Sequence, residues 1–172
     1  MKILALDLAL ETGWAFGENI ASAHCGIWAL PGYSDDKIER TLGSIYSAVN
    51  TICRGNKIEG VVIEAALRTI NKKNSRGITT PTSAHGDRCL TMLNGAARAG
   101  AANAGVTKFW HPAPSTWRKV VLGNGFPEKP KEEAVKFCAR IGRAVENHNT
   151  AEALCMLDWK TRESNLLDRV KG

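Results

Sequence analysis

The sequence predicts an α/β domain built on a mixed sheet, and the order of its apolar runs is the main reason. Three extended runs near the N-terminus are separated only by turn residues, which predicts an antiparallel meander. Helical and extended patterns then alternate, and the last third of the chain is helical. This order indicates one α/β domain over residues 1–172, with helices flanking a mixed sheet. A chain of 172 residues is long enough to bury a core.

Five strands are predicted from apolar runs that end at turn or breaker residues. Residues 2–9 (KILALDLA) suit a central strand, and Thr12-Gly13 is expected to break it. The runs WAFG and ASAHCGIWAL follow, and Pro31-Gly32 closes this unit. The run VVIEAAL after Gly60 is rich in β-branched residues, which is typical of a strand buried on both faces. VTKFWHP is the last predicted strand, because Pro112 stops it.

Helices are predicted from the spacing of apolar residues and from capping residues. Ser34 or Asp35 is expected to cap a helix whose apolar positions recur three or four residues apart. Residues 85–104 predict a second helix, whose Gly and Ala permit close packing either on the sheet or across a dimer interface. Short helices are expected from about Ser115, over 130–143 and over 149–162, and residues 68–82 are expected to form a loop.

The charge of the chain favours acidic partners. The net charge is +6, and Lys and Arg are concentrated in residues 68–76, 118–119 and 129–143. Such clusters are expected on a surface that follows a phosphate backbone. The alternative is a basic surface that only keeps the protein soluble. The composition, with 44% hydrophobic and 23% charged residues, is that of a globular domain.

The cysteines and the N-terminus bear on the compartment. No C-x-x-C pair occurs, and each cysteine lies in an apolar or helical stretch, so buried free thiols are expected rather than disulfides or zinc ligands. Free thiols imply a reducing compartment. The N-terminal apolar run is short and interrupted by Asp7, so neither a signal peptide nor a membrane span is expected. The predicted location is the cytoplasm. The cysteines are Cys25, Cys53, Cys89, Cys138 and Cys155.

Three carboxylates lie in or beside apolar runs that predict buried structure: Asp7, Glu64 and Glu152. A buried carboxylate is costly unless it is paired or bound to a metal. Each acid taken alone could be a structural residue or, for Glu152, part of a solvated helix face. Three acids on three buried elements instead predict a site for divalent cations, which can activate water for phosphodiester hydrolysis. With the basic stretches, this predicts nucleic acid as the substrate.

Two further polar residues precede Glu152 by one helical turn. His148 and Asn149 are expected to share a helix face with it. A histidine on a helix is most often a surface residue.

In this order, the motifs resemble those of the RuvC-type Holliday junction resolvases, which have the ribonuclease H-like fold, and most closely the divergent bacteriophage and prophage versions. ILALDLALETGWAF is similar to the family's D-P-G-x-x-x-T-G pattern, and VVIEAAL to its second acidic strand. The family's helix, the strand after it and its V-x-G-x-G approach to a basic helix resemble the segment LNGAARAGAANAGVTKFWHPAPSTWRKVVLGNG. HNTAEALCMLDW is similar to its terminal acidic helix. The resemblance runs from residue 3 to about residue 159.

The resemblance implies roles for particular residues. Asp7, Glu64 and Glu152 would be catalytic ligands of two Mg²⁺ ions, with Mn²⁺ as a substitute. Lys129 or Lys131, in EKPKEEAV, falls where the family has a lysine near the scissile phosphate, and Lys129 is the preferred catalytic candidate. The sequence departs from the pattern where Leu8-Ala9 replaces Pro-Gly, Glu152 replaces Asp, and Asn149 replaces an acid or histidine. The resemblance therefore leaves His148, Asn149 or water as the candidate to complete the metal shell. The residues expected to contact DNA phosphates are Arg68, Lys72, Lys73, Arg76, Lys129 and Lys131.

The implied activity is a metal-dependent endodeoxyribonuclease that nicks opposing strands of a four-way junction as a homodimer, without a nucleotide cofactor or a membrane, in a bacterial or phage-infected cytoplasm. One alternative is a broader nuclease for forks, flaps and replication intermediates. Another is a ribonuclease H-like DNA-binding module that has lost catalysis. An ATPase of the actin and sugar-kinase type is a third, but 172 residues are too few for its two domains.

Overall fold

In the part of the chain that the structure describes, the sheet has five strands in the order β3-β2-β1-β4-β5. The computed structural model describes residues 1–65 and 84–171, with side chains over 1–65 and 86–165. The antiparallel part joins β1 (Ile3–Asp7), β2 (Glu11–Gly17) and β3 (His24–Ala29). The parallel part joins β1 to β4 (Gly60–Ile63) and β4 to β5 (Lys108–Trp110). The prediction of a mixed five-stranded sheet is therefore confirmed.

Helices cover both faces of this sheet. Alternation along β1 sends Ile3 and Ala5 to one face and Leu4 and Leu6 to the other. The first face packs against the last three helices, and the second packs against the first two. The helices of the described part are α1 (Ile38–Asn56), α2 (Ala84–Asn103), α3 (Pro114–Val121), α4 (Pro130–Arg140) and α5 (His148–Lys171).

Helix α5 packs on the first face of the sheet, and its first residues contact β2 directly. A Cβ atom placed on Gly13 would lie 2.1 Å from the carbonyl oxygen of Asn149, so only glycine permits this approach. Gly13 is also the register partner of Asp7 at the end of β1. The side chain of Asn149 fixes the same contact, since its Nδ2 donates to the carbonyl oxygen of Glu11. The start of α5 is thereby held beside the end of β1.

Two local predictions were wrong. Thr12 and Gly13 lie inside β2 rather than in the turn before it. The turn is instead closed by the Thr12 hydroxyl, which donates to the carbonyl oxygen of Ala9 at 2.6 Å. The second concerns the cap of α1: the helix starts at Ile38 after Lys37, without a side-chain cap. Ser34 contributes only its carbonyl oxygen, which accepts the N–H groups of Lys37 and Ile38.

The other element predictions differ from the structure mainly at helix ends. Helix α4 ends at Arg140 rather than at residue 143, and Gly142, at φ +74°, follows it. Helix α5 runs nine residues beyond its predicted end, from 162 to 171. None of the five cysteines forms a disulfide, and Cys25 alone is only partly buried, so the prediction of thiols rather than disulfides is confirmed. Within the described residues, none of the helices is both long and apolar enough to span a bilayer.

Candidate active site

Three carboxylates come together where β1 and β4 end. Asp7 is the last residue of β1, and Glu64 directly follows β4. These strands are parallel neighbours, so their C-terminal ends lie at the same edge of the sheet. Alternation places Asp7 on the face of Ala5, and Glu64 on the face of Val62, which is the face that α5 covers. Glu152, in the second turn of α5, has a side chain that is only 6% exposed.

Helix α3 supplies two residues that hold these acids. The indole Nε1 of Trp117, a fully buried residue, donates to Oε1 of Glu64 at 2.8 Å. The guanidinium of Arg118 donates from Nη2 to Oε1 of Glu152 at 2.8 Å, and the same nitrogen is 3.8 Å from Oε1 of Glu64. Arg118 therefore bridges two carboxylates that come from different elements.

The charges of the site are nevertheless not balanced. Burial, followed by the negative charges of Glu152 and Glu64, raises the pKa of Asp7 from 3.8 to about 8. The positive charges of Lys131 and Arg118 oppose this rise but do not cancel it. Burial also raises the pKa of Glu64, although the hydrogen bond from Trp117 and the charge of Arg118 act in the opposite direction. Asp7 is thus largely protonated at neutral pH unless another cation is present.

The two candidate lysines lie in different surroundings. The charge of Lys131 acts on both Asp7 and Glu64. Its Nζ is also 2.9 Å from Nε2 of His148, and because an ammonium group only donates, Nε2 is the acceptor of this contact. Lys129 instead forms an exposed ion pair with Glu132 at 3.1 Å. Of the two, Lys131 is the lysine with an electrostatic effect on the acids.

His148 and Asn149 do not share one role at the start of α5. Asn149 is buried and its amide nitrogen binds the backbone of β2, as described above. His148 is half-buried and contacts Lys131. The two side chains that were expected to share a helix face with Glu152 therefore have separate partners: His148 contacts Lys131, and Asn149 binds β2.

A divalent cation fits this site by the chemistry of its donors. Carboxylate oxygens are the ligands that Mg²⁺ prefers, and Asp7 is a buried acid whose pKa is raised by burial and then by the charges of Glu152 and Glu64. Within residues 1–65 and 84–171, however, no three Asp, Glu, His or Cys side chains are close enough together to hold an ion. The guanidinium of Arg118 contacts two of the three acids, at 2.8 Å from Glu152 and 3.8 Å from Glu64.

The sequence pointed to the three acids but not to their partners. Residues 118–119 stood out only as a basic cluster, and Trp117 had no predicted role. A Trp-Arg pair on a short helix does not reveal which acids it will meet. The predicted phosphate contacts on the loop lie outside the described residues; they are Arg68, Lys72, Lys73 and Arg76.

Comparisons with known proteins find likeness in structure but not in sequence. No protein-family model matches the chain, and no curated protein matches it significantly. RuvC of Thermus thermophilus superposes with a TM-score of 0.70 at 16% identity, over 96% of each chain. The same protein in complex with a Holliday junction substrate gives 0.67, again at 16% identity and 96% coverage of both chains. The resemblance predicted from the motifs is confirmed in the fold, and the chain has the ribonuclease H-like fold of RuvC.

Proposed function

We propose that this protein is a metal-dependent endodeoxyribonuclease that cleaves branched DNA, with the Holliday junction as its main substrate. The observation that carries the proposal is the meeting of Asp7, Glu64 and Glu152 at one sheet edge, where burial, followed by the charges of Glu152 and Glu64, raises the pKa of Asp7 to about 8. Buried acids whose charge is left unbalanced are characteristic of functional sites. The fold shared with RuvC, including a RuvC bound to a Holliday junction, supports DNA as the substrate.

The three acids are the residues that would hold Mg²⁺ or Mn²⁺, at two ions per active site. His148, Asn149 or water would complete the shell. When bound, such ions activate water and stabilise the leaving oxygen in phosphodiester hydrolysis. For the carboxylates to act as ligands, Asp7 must lose its proton, and Glu152 would bind through Oε2 or share Oε1, which accepts from Arg118.

Basic residues would hold the DNA beside the acids. Lys131 is the better candidate for the scissile phosphate, because its charge already acts on Asp7 and Glu64. Its contact with Nε2 of His148 would keep the ammonium oriented. Lys129 would contact the DNA backbone farther out, as would Arg68, Lys72, Lys73 and Arg76.

A four-way junction has near two-fold symmetry, so we propose a homodimer whose two sites nick opposing strands. The small residues of α2 offer a face for such a dimer, although the same helix packs closely on α1: a Cβ on Gly100 would lie 2.4 Å from the carbonyl oxygen of Tyr46. The protein would act in the cytoplasm of a bacterium or of a phage-infected cell.

A second candidate is a DNA-binding module without catalysis. The bridge from Arg118 to Glu64 and Glu152 favours it, because a guanidinium already occupies the space between two of the expected ligands. A broader nuclease for forks and flaps has the same chemistry as a resolvase and differs only in substrate choice.

The deciding experiment incubates labelled junctions, forks and duplexes with the protein and Mg²⁺, Mn²⁺ or EDTA. Cleavage of junctions with metal, and none with EDTA, is expected. Asp7→Asn and Glu152→Gln should abolish cleavage and keep junction binding, while Glu39→Gln, an exposed acid on α1, should cleave normally. Junction binding without cleavage by the wild type would identify the non-catalytic module.

The same set of variants separates the other possibilities. Loss of both binding and cleavage in Asp7→Asn would show a structural Asp7. Full activity in Glu152→Gln would contradict the three-carboxylate site. Equal rates on forks and junctions would identify the broader nuclease, and full junction cleavage by a protein that light scattering finds monomeric would contradict the paired sites.

A further inference from the structure

An aromatic ring stands almost free in solvent on the loop between α3 and α4. Phe126 is 85% exposed, and Val120 on the neighbouring helix is 54% exposed. Scattered apolar residues are common on surfaces, but a phenyl ring this exposed gives up the burial that normally stabilises it. The exposed ring of Phe126 is therefore a candidate contact for a binding partner.

The loop that carries the ring has a defined conformation. The backbone N–H of Phe126 donates to Oδ1 of Asn124 at 2.9 Å. Gly125 lies against α3 so closely that a Cβ there would be 2.9 Å from the carbonyl oxygen of Ser115. Gly123 adopts φ +79°, which favours glycine, and so turns the chain after α3. The ring is thus presented by a loop that packs on α3.

Between the loop and α3 lies an open groove of about 790 Å³. Its wall combines the ring of Phe126 with Val120, the ammonium-bearing Lys119, and the hydroxyl groups of Ser115 and Thr116. None of the residues that line it is acidic. A flat aromatic face beside a cation and hydroxyl donors matches a nucleotide, whose base stacks on rings and whose phosphate binds lysine.

The groove shares its helix with the candidate active site. Trp117 and Arg118 of α3 point toward the carboxylates, as their bonds to Glu64 and Glu152 show. The next two residues, Lys119 and Val120, are exposed and line the groove. DNA held at the carboxylates would therefore have this groove on the outer side of the same helix.

We propose that Phe126 stacks on an unpaired base of branched DNA and that Lys119 binds the neighbouring phosphate. This inference rests on the proposed function, because it takes DNA as the substrate. Bases at a branch point are unstacked more readily than bases in a duplex, so the ring selects for branched over fully paired DNA. Stacking of this kind is tolerant of sequence, since every base has a π-face.

The test measures binding in EDTA to a fork that carries 2-aminopurine at an unpaired position by the branch, to a four-way junction that carries it in a base pair at the crossover, and to a matched duplex. Phe126→Ala should bind the branched DNAs about 5- to 100-fold more weakly and the duplex unchanged. The quenching of 2-aminopurine by the wild type should be lost in Phe126→Ala and kept in Phe126→Trp. Ile27→Ala, which removes an exposed apolar residue from β3, should behave as the wild type.

Lys119→Ala separates the charge from the ring. It should lower the slope of log K against log salt by about 0.7 on an unpaired strand, whereas Phe126→Ala should leave the slope unchanged. If the wild type binds branched DNA and Phe126→Ala binds it equally with the same quenching, the stacking inference is wrong and the proposed function stands. If the wild type binds no branched DNA, both fail. A dimer that becomes a monomer in Phe126→Ala would show that a second copy of the chain covers the ring.

Discussion

Asp7→Asn should make the metal-free protein more stable at alkaline pH, although it removes a proposed catalytic residue. Asp7 has its pKa raised from 3.8 to about 8 by burial and by the charges of Glu152 and Glu64. An acid with a raised pKa binds more protons in the folded than in the unfolded state. Stability is therefore greatest near and below the unfolded pKa of 3.8 and falls as pH rises through about 8. Asparagine has nearly the same shape and carries no charge to repel.

The size of the effect follows from the pKa difference. Each unit of pKa is worth 1.36 kcal/mol, so ionisation of Asp7 between pH 5 and pH 9 would cost the wild type about 4 kcal/mol. This is an upper limit, since Asp7 is not fully buried and solvent screens part of the repulsion. The Asn variant lacks this loss, so the two proteins should diverge as pH rises from 5 to about 8 and keep a constant difference above it.

Urea unfolding in EDTA at pH 5, 6, 7, 8 and 9 measures the divergence directly. Mg²⁺ should restore stability to the wild type above pH 7 and have little effect on Asp7→Asn, because the ion requires the ionised carboxylate. Parallel pH profiles for the two proteins in EDTA would refute the raised pKa of Asp7. Equal stabilisation of both by Mg²⁺ would refute Asp7 as a ligand.

Three other predictions follow from the same contacts. Arg118→Ala should destabilise the metal-free protein by about 1.5–3 kcal/mol, because its charged hydrogen bond to Glu152 is lost. The same change should tighten Mg²⁺ binding measured by calorimetry, because a competing cation is gone. Lys131→Ala should slow single-turnover cleavage more than Lys129→Ala, whose ammonium is paired with an exposed Glu; equal effects would contradict the assignment. Gly13→Ala should lower the free energy of unfolding by about 1–3 kcal/mol in urea, because its Cβ would meet the backbone of α5; an unchanged value would contradict the close approach.

The sheet and its two acids could be predicted because the signals are local. Asp7 ends an apolar run and Glu64 interrupts one, so both appear as acids at the ends of buried strands. The order of runs then separates the antiparallel meander from the parallel pairs. Because parallel neighbouring strands end at the same edge of a sheet, the two acids are expected to lie near each other without any prediction of long-range side-chain contacts.

The burial of helix α5 could not be predicted from local sequence patterns. Its residues from 149 to 161 are all buried, including Glu152, Asp158 and Lys160, which a helical pattern would place on a solvated face. Lys160 is tolerated because its ammonium lies 4.3 Å from the centroid of the Trp110 ring and pairs with Glu163. Such partners come from β5 or from the next turn of the helix. They depend on packing, and local spacing does not reveal them.

Arg118 bears on the choice between a nuclease and a silent DNA-binding module. If the acids served only to fix α3 against α5, the bridge between Glu64 and Glu152 would be sufficient. Asp7 would then gain nothing by being an acid, since Asn would fill the same space without repulsion. Asp7 instead remains beside two other carboxylates with a pKa of about 8, which lowers stability at neutral pH. An acid that costs stability and that one arginine does not neutralise is best explained by a further cation, and this favours the metal-dependent nuclease.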